Sequence, residues 1–343
     1  MIKPVTDDKI EKLAFSIQNY LSGNPAFLIG SGCSIPYGLP SMNELSEEIV
    51  HQLDSAYYGD STWQEFLEQL KINHNLEIAL EAVTMREDIH ESIIKVVWSY
   101  IQKKDNEAFL RFIISGSFPE LAKIIKKCIQ SIPSTNIVTT NYDRLIEYSI
   151  DAAGGRCVSG FSGNYIKHFQ NFEGSAAKRV INLYKVHGSV DWFKHKVTGS
   201  TIATYFFDVN DYRDIYNPMI VTPGRMKYKE THNDPFRTVI FEADKAIRAS
   251  TSYLCIGYGF NDDHIQPIIL DENRNNHKPI VIVTKAITDK MVELFHSTDD
   301  AQCLIISENN FGGGTTVYYN KTDKDVFDEQ FWQLNMFSKL WLG

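Results

Sequence analysis

The chain has 343 residues, 43% of them hydrophobic, with 20 Phe and 17 Tyr, enough to bury a large core and too apolar for a disordered segment. Lys and Arg number 34 against 43 Asp and Glu, and the formal net charge of -9 argues against strong direct nucleic-acid binding. No apolar run is long enough to cross a membrane, residues 1–8 are polar rather than signal-like, and five scattered cysteines (Cys33, Cys128, Cys157, Cys255, Cys303) contain no Cys-x-x-Cys pair. These features exclude a disulfide framework and a four-cysteine zinc site, and lead us to expect a cytoplasmic protein with no membrane contact, no zinc and no other metal centre.

In chain order, Ile10, Leu13, Ala14, Ile17 and Leu21 recur at helical spacing, with Asp7 and Asp8 placed to cap the first turn. Gly23, Asn24 and Pro25 stop that helix, and residues 26–29 read as a short buried strand. A glycine-rich turn over residues 30–40 follows, then a helix from Ser41 with Glu44 three residues on, as in a capping box. Residues 61–130 are rich in helix formers and nearly free of strand signals, which predicts a helical insert within a single domain spanning residues 1–343. The lysines Lys123, Lys126 and Lys127 read as its solvated face.

Strand character returns at residues 136–140, which run into a helix carrying Leu145, Ile146, Ser149 and Ile150. Residues 180–186 are the next strand, and residues 190–209 alternate around a Thr198-Gly199-Ser200 turn, as a hairpin does. Strands over 219–221, 253–256 and 279–283 then alternate with helices over 235–249, 262–273 and 288–295. A last helix is expected to carry Phe327, Phe331, Leu334 and Trp341. Continuous apolar strands separated by helices predict an α/β fold, a Rossmann-like parallel sheet with helices on both faces.

Four motifs carry chemistry. Residues 27–34 are a strand ending in Gly30-Ser31-Gly32, a pattern that lets backbone N–H groups approach a diphosphate, and equally the pattern of an ordinary tight turn. Ile35 stands where a dinucleotide fingerprint would have its third glycine, and Gly38-Leu39-Pro40 adds a second turn that keeps the loop open. In Thr139-Thr140-Asn141-Tyr142-Asp143, alternation points Asn141 and Asp143 into one pocket and Tyr142 elsewhere; a helix cap would need only one of the two. His187 sits at a strand exit before Gly188, placed either to titrate in a cleft or to serve as a satisfied structural histidine. Residues 256–262 repeat the glycine pair, with Asn261 or Asp262 available to cap the next helix. All four fall at strand exits, the edge where open α/β sheets bind ligands.

In this order the motifs resemble the sirtuin superfamily. Residues 30–34 with Gly38, Leu39 and Pro40 look like its Gly-Ala-Gly-x-Ser…Gly-Ile-Pro loop, residues 139–143 like its Thr-Gln-Asn-x-Asp, and Val186-His187-Gly188 like its Leu-His-Gly. Residues 257–260 and Val283-Thr284 fall where the family binds the adenosine half of NAD. The resemblance is nearest to the divergent bacterial branch of antiphage defence systems. It implies NAD binding by Gly30, Ser31, Gly32, Cys33, Ser34, Gly38, Pro40, Thr140, Gly257, Tyr258, Gly259, Phe260 and Thr284. It also implies a catalytic group of Asn141, Asp143 and His187. Asp143 would accept from the nicotinamide carboxamide, Asn141 would orient the ribose or a water, and His187 would act as general base.

Two departures shape the expected activity. Ser41-Met42-Asn43 replaces the Asp-Phe-Arg of deacylase sirtuins, and their zinc module is absent. The expectation is therefore a hydrolase that cleaves NAD to nicotinamide and ADP-ribose and depletes NAD during phage infection. The alternatives are a protein deacylase and a non-catalytic NAD-binding interaction module. A nicotinamide oxidoreductase is disfavoured by the missing third glycine and by the lack of a matched acid after the first βα unit. The resemblance also implies gating by self-assembly into a homo-oligomer, by a HerA-type ATPase, or by another defence-system protein.

Overall fold

The strand expected before the first glycine turn is β1 (Pro25–Ile29), all five residues of which are buried. The computed structural model describes residues 5–172, 179–205, 214–222, 233–262, 264–297, 302–309, 313–320 and 322–343. The other strands are β2 (Ser134–Thr139), β3 (Arg156–Val158), β4 (Phe161–Gly163), β5 (Lys167–Phe169), β6 (Val180–Lys185), β7 (Gly188–His195), β8 (Thr201–Ala203), β9 (Tyr216–Ile220), β10 (Ser252–Ile256), β11 (Ile280–Thr284), β12 (Cys303–Glu308), β13 (Thr315–Tyr318) and β14 (Lys324–Phe327). Nine of them make one sheet of order β14-β13-β12-β11-β10-β1-β2-β6-β3. From β12 through β3 the pairing is parallel, as expected.

The chain leaves β1 in one direction through β2 and β6, and later builds outward on the other side through β10, β11 and β12. The order therefore reverses between β1 and β10. Around this switch point a crevice lies at the carboxyl ends of the strands.

Helices cover both faces. They are α1 (Val5–Tyr20), α2 (Met42–Tyr57), α3 (Ser61–Asn73), α4 (Leu76–Ala82), α5 (Glu87–Ser115), α6 (Leu121–Ser131), α7 (Leu145–Ala152), α8 (Phe236–Ala249), α9 (Gln266–Asn276), α10 (Asp289–Ser297) and α11 (Leu334–Leu342). Alternation along β1 divides the core: Phe27 and Ile29 pack with Leu13, Ile125 and Phe337 of α1, α6 and α11, whereas Ala26 and Leu28 pack on the opposite side with Val239 and Ile269 of α8 and α9. The Ser41–Glu44 capping box starts α2 as expected.

A second sheet, order β4-β5-β8-β7-β9, is antiparallel throughout. The hairpin expected around residues 198–200 is its β7–β8 pair, with residues 206–209 of that reading outside the described residues. Residues 219–221 do not join the parallel sheet: β9 pairs with β7 at the edge of the small sheet. Pro218 in β9 lacks the N–H that a central strand must donate, so an edge position suits it. Val190, Phe193, Ile202 and Ile220 of this sheet form a third core with Trp63, Phe66, Ile93 and Trp98 from the helices. The long helix α5 belongs to two cores, with Ile89 to Ile101 on the small-sheet side and Ala108 and Phe112 against the main sheet.

The C-terminal expectation needs correction. Phe327 ends β14 and Phe331 lies in a turn, so the helix is only Leu334–Leu342. Phe327 and Phe331 do meet, with ring centroids 5.3 Å apart, but across a turn rather than along one helix face. The strands β12, β13 and β14 were not expected; the last two add antiparallel to the sheet edge.

Candidate functional site

A half-open cleft lies at the carboxyl ends of β1, β2, β6 and β10, with a volume of about 970 Å³ counted out to its mouth. Of the residues singled out from the sequence, Gly30, Ser31, Ser34, Pro40, Thr140, Asn141, Asp143, His187, Gly257, Tyr258 and Gly259 line it together. Gly32, Cys33, Gly38, Phe260 and Thr284 are not on its wall. Cys33 and Phe260 belong to the hydrophobic cores, and Thr284 turns its hydroxyl to the Ala286 carbonyl at 2.9 Å. Tyr142, expected to face elsewhere, also lines the cleft, with its hydroxyl donating to the Val221 carbonyl at 2.7 Å. Met42, Leu45, Glu77 and Ile101 close the wall from α2, α4 and α5, a contribution with no signal in the motifs.

The two glycine turns cross in contact. Gly30 N–H donates to the Ile256 carbonyl at 3.0 Å and Gly32 N–H to the Gly257 carbonyl at 3.1 Å, continuing the β1–β10 pairing past the strand ends. A Cβ on Gly30 would lie 2.4 Å from the Gly257 carbonyl oxygen, and one on Gly32 would lie 2.8 Å from Gly257 Cα. These glycines are therefore required by backbone passing backbone. The turn reading of Gly30 and Gly32 thus holds beside any role in ligand approach.

Asn141 is buried and works as a tie. Its Nδ2 donates to the Gly30 carbonyl at 3.0 Å and to Ser34 Oγ at 3.1 Å, joining the exit of β2 to the loop after β1. With the amide nitrogen engaged, the carbonyl oxygen is what Asn141 has to offer a ligand. Asp143, also buried, accepts from Leu145 N–H at 3.0 Å and so caps α7, while the Ser34 hydroxyl hydrogen-bonds to its carboxylate. The cap and the cleft position are thus compatible. Burial pushes the Asp143 carboxyl above its ordinary value, with Lys185 opposing.

Lys185 was not singled out from the sequence. It is 1% exposed, and its Nζ donates to the Asp143 carbonyl at 2.5 Å, to Ser189 Oγ at 2.7 Å and to Glu147 Oε1 at 3.0 Å. Burial disfavours the ammonium, but Glu147, Asp191 and Asp143 outweigh it and hold the Lys185 pKa above its usual value. A second buried pair fixes the same loop: Arg144 N–H and guanidinium both bind Asp105 of α5, at 2.7 and 2.5 Å. The segment 141–144 is thus held from two sides, a preorganised wall rather than a free loop.

Opposite it, His187 Nε2 lies 2.8 Å from Asp262 Oδ2. Asp262 was expected only as a helix cap, and its other oxygen does accept from His264 and Ile265 N–H, both at 3.0 Å. Cys33 is the nearest thiol, and burial, helped by Asp143, pushes its pKa up to about 12, so it stays protonated and unreactive at neutral pH. Among the described residues, no group of three or more His, Cys, Asp and Glu is arranged to hold a metal, and no helix is long and apolar enough to cross a membrane.

The fold and cleft define an α/β protein with a ligand crevice at the point where its strand order reverses. Residues 135–302 match the family model described as a SIR2-like domain. It is distantly related to the NAD(+) hydrolase ThsA of Acinetobacter baumannii (strain 532279), 22% identical over 231 residues, which are 65% of this chain and 39% of that protein. Similar solved structures include a Sir2 homologue–NAD complex (14% identity, 86% of this chain and 87% of that one, TM-score 0.46). Another is a mutant Sir2 homologue with 2'-O-acetyl ADP-ribose (14% identity, 87% and 89%, TM-score 0.48).

Proposed function

We propose that this chain binds NAD in the cleft and hydrolyses it to nicotinamide and ADP-ribose. The observation that carries this reading is the convergence of Asn141, Asp143 and His187 with two glycine turns in one crevice. The cleft suits the substrate chemically. Side-chain-free glycines and the hydroxyls of Ser31 and Thr140 offer a polar track for a diphosphate.

Nicotinamide leaves NAD as a neutral molecule from a cationic ring, so no general acid is needed. The work is to hold the substrate and to stabilise the oxocarbenium-like ribose as the bond stretches. Asp143 accepts from the carboxamide, the Asn141 carbonyl oxygen orients a ribose hydroxyl or the attacking water, and His187 takes the proton. That the ThsA relative is an NAD(+) hydrolase points the same way, as does the resemblance to defence proteins. Depletion of NAD in phage-infected cells is the corresponding role, gated by assembly of this chain or by a partner such as a HerA-type ATPase.

The test is chromatography of NAD incubated with the protein, alone and with the product of the adjacent gene. The reading expects nicotinamide and ADP-ribose in equal amounts without any peptide. Nicotinamide release only with an acylated peptide would establish a deacylase, and stoichiometric binding without turnover in every condition would establish a binding module.

A further inference from the structure

Strands β6 and β10 are three positions apart in the sheet, with β2 and β1 between them, a separation of about 14 Å at the usual strand spacing. His187 follows β6 and Asp262 follows β10, yet Nε2 of the one lies 2.8 Å from Oδ2 of the other, within ion-pair distance although not aligned as a hydrogen bond. The contact therefore spans the carboxyl ends of four strands and crosses the cleft that both residues line. Both side chains are withdrawn from water, 13% and 4% exposed, where a carboxylate beside an imidazole acts with little screening.

A helix cap alone accounts for only half of Asp262. Oδ1 takes the His264 and Ile265 N–H groups at the start of α9, and this pins the carboxylate; Oδ2 is left directed at the imidazole. We propose that Asp262 is the positioning residue for His187, its carboxylate stabilising the imidazolium formed when His187 takes a proton; the assignment rests on the hydrolase reading above. A base held by a third group is the general arrangement by which a histidine is made efficient.

The test is a double-mutant cycle with Asp262→Asn and His187→Ala. Asn at position 262 keeps the helix cap and the side-chain shape and removes the charge. Asp262→Asn should lower kcat on the order of 10²-fold or more, as for loss of a positioned base, while NAD affinity changes by less than about threefold. In the His187→Ala background the same substitution should cost nothing further, because Asp262 acts through His187. In the ligand-free protein, a nuclear magnetic resonance pH titration should show the His187 imidazole losing its proton at lower pH in Asp262→Asn than in the wild type. The assignment is overturned by full turnover in Asp262→Asn, by effects of the two substitutions that multiply, or by affinity falling in step with kcat. Normal turnover in His187→Ala would instead sink the hydrolase assignment of the histidine, and the imidazole signal would still report whether the contact exists.

Discussion

The crossing of the two glycine turns makes a quantitative prediction about Gly257. Its φ of +56° is in the left-handed region, where a Cβ costs about 1–2 kcal/mol. A Cβ there would also lie 2.4 Å from Cys33 N, 2.5 Å from Gly32 C and 2.6 Å from Gly32 Cα, all backbone atoms of the facing turn. None is the end of a side chain that can swing away, so the turns must separate, and overpacking of this kind costs about 1–3 kcal/mol. Gly257→Ala should therefore lose about 2–5 kcal/mol of stability. Gly259 lines the same cleft, but its nearest contact is the Asn261 side chain at 3.3 Å. Gly259→Ala should stay within about 0.5 kcal/mol of the parent. Urea denaturation followed by tryptophan fluorescence compares the two directly, with NAD calorimetry on whatever remains folded. Equal stability of the two variants would refute the crossing.

Asn141→Ala removes both the ligand-facing oxygen and the tie to Gly30 and Ser34, so NAD affinity should fall together with turnover in calorimetry and product assays. Cys33→Ala should keep turnover, and the wild-type thiol should resist alkylating reagents at neutral pH in the folded protein, because burial holds it protonated. Asp143→Asn should stabilise the fold increasingly from acid to neutral pH. A carboxyl whose folded pKa is raised contributes stability below its unfolded pKa and loses it as pH rises through the folded value, so the Asn variant gains relative to wild type in that window; melting curves at several pH values measure it.

Much of the parallel sheet was legible because fully buried strands read as unbroken apolar runs, as in residues 26–29 and 253–256. The β13–β14 edge was not, since Thr315–Tyr318 and Lys324–Phe327 are short and mixed in polarity. Beyond its β7–β8 hairpin, the small sheet was hidden for a different reason. Its apolar residues pack on helices far away in sequence, Trp98 donating to the Val190 carbonyl across 92 residues, and no local period encodes such a contact. In the site, Asn141 and His187 announced themselves by their place at strand exits. The buried pairs that fix the 141–144 segment, Lys185 with Glu147 and Arg144 with Asp105, look like ordinary surface charges until the fold buries them. Asp262 was seen only as a cap because sequence neighbours suffice for a cap, whereas its second oxygen is engaged from the other side of the cleft.

The most direct measurement of the central claim is a crystal structure of the His187→Ala protein soaked with NAD. The account predicts the diphosphate beside Gly30, Ser31 and Ser34, and the nicotinamide ribose between Asn141 and the emptied position 187, with the carboxamide toward Asp143. NAD bound outside this cleft, or inside it with the nicotinamide pointing away from Asn141 and Asp143, would contradict the account.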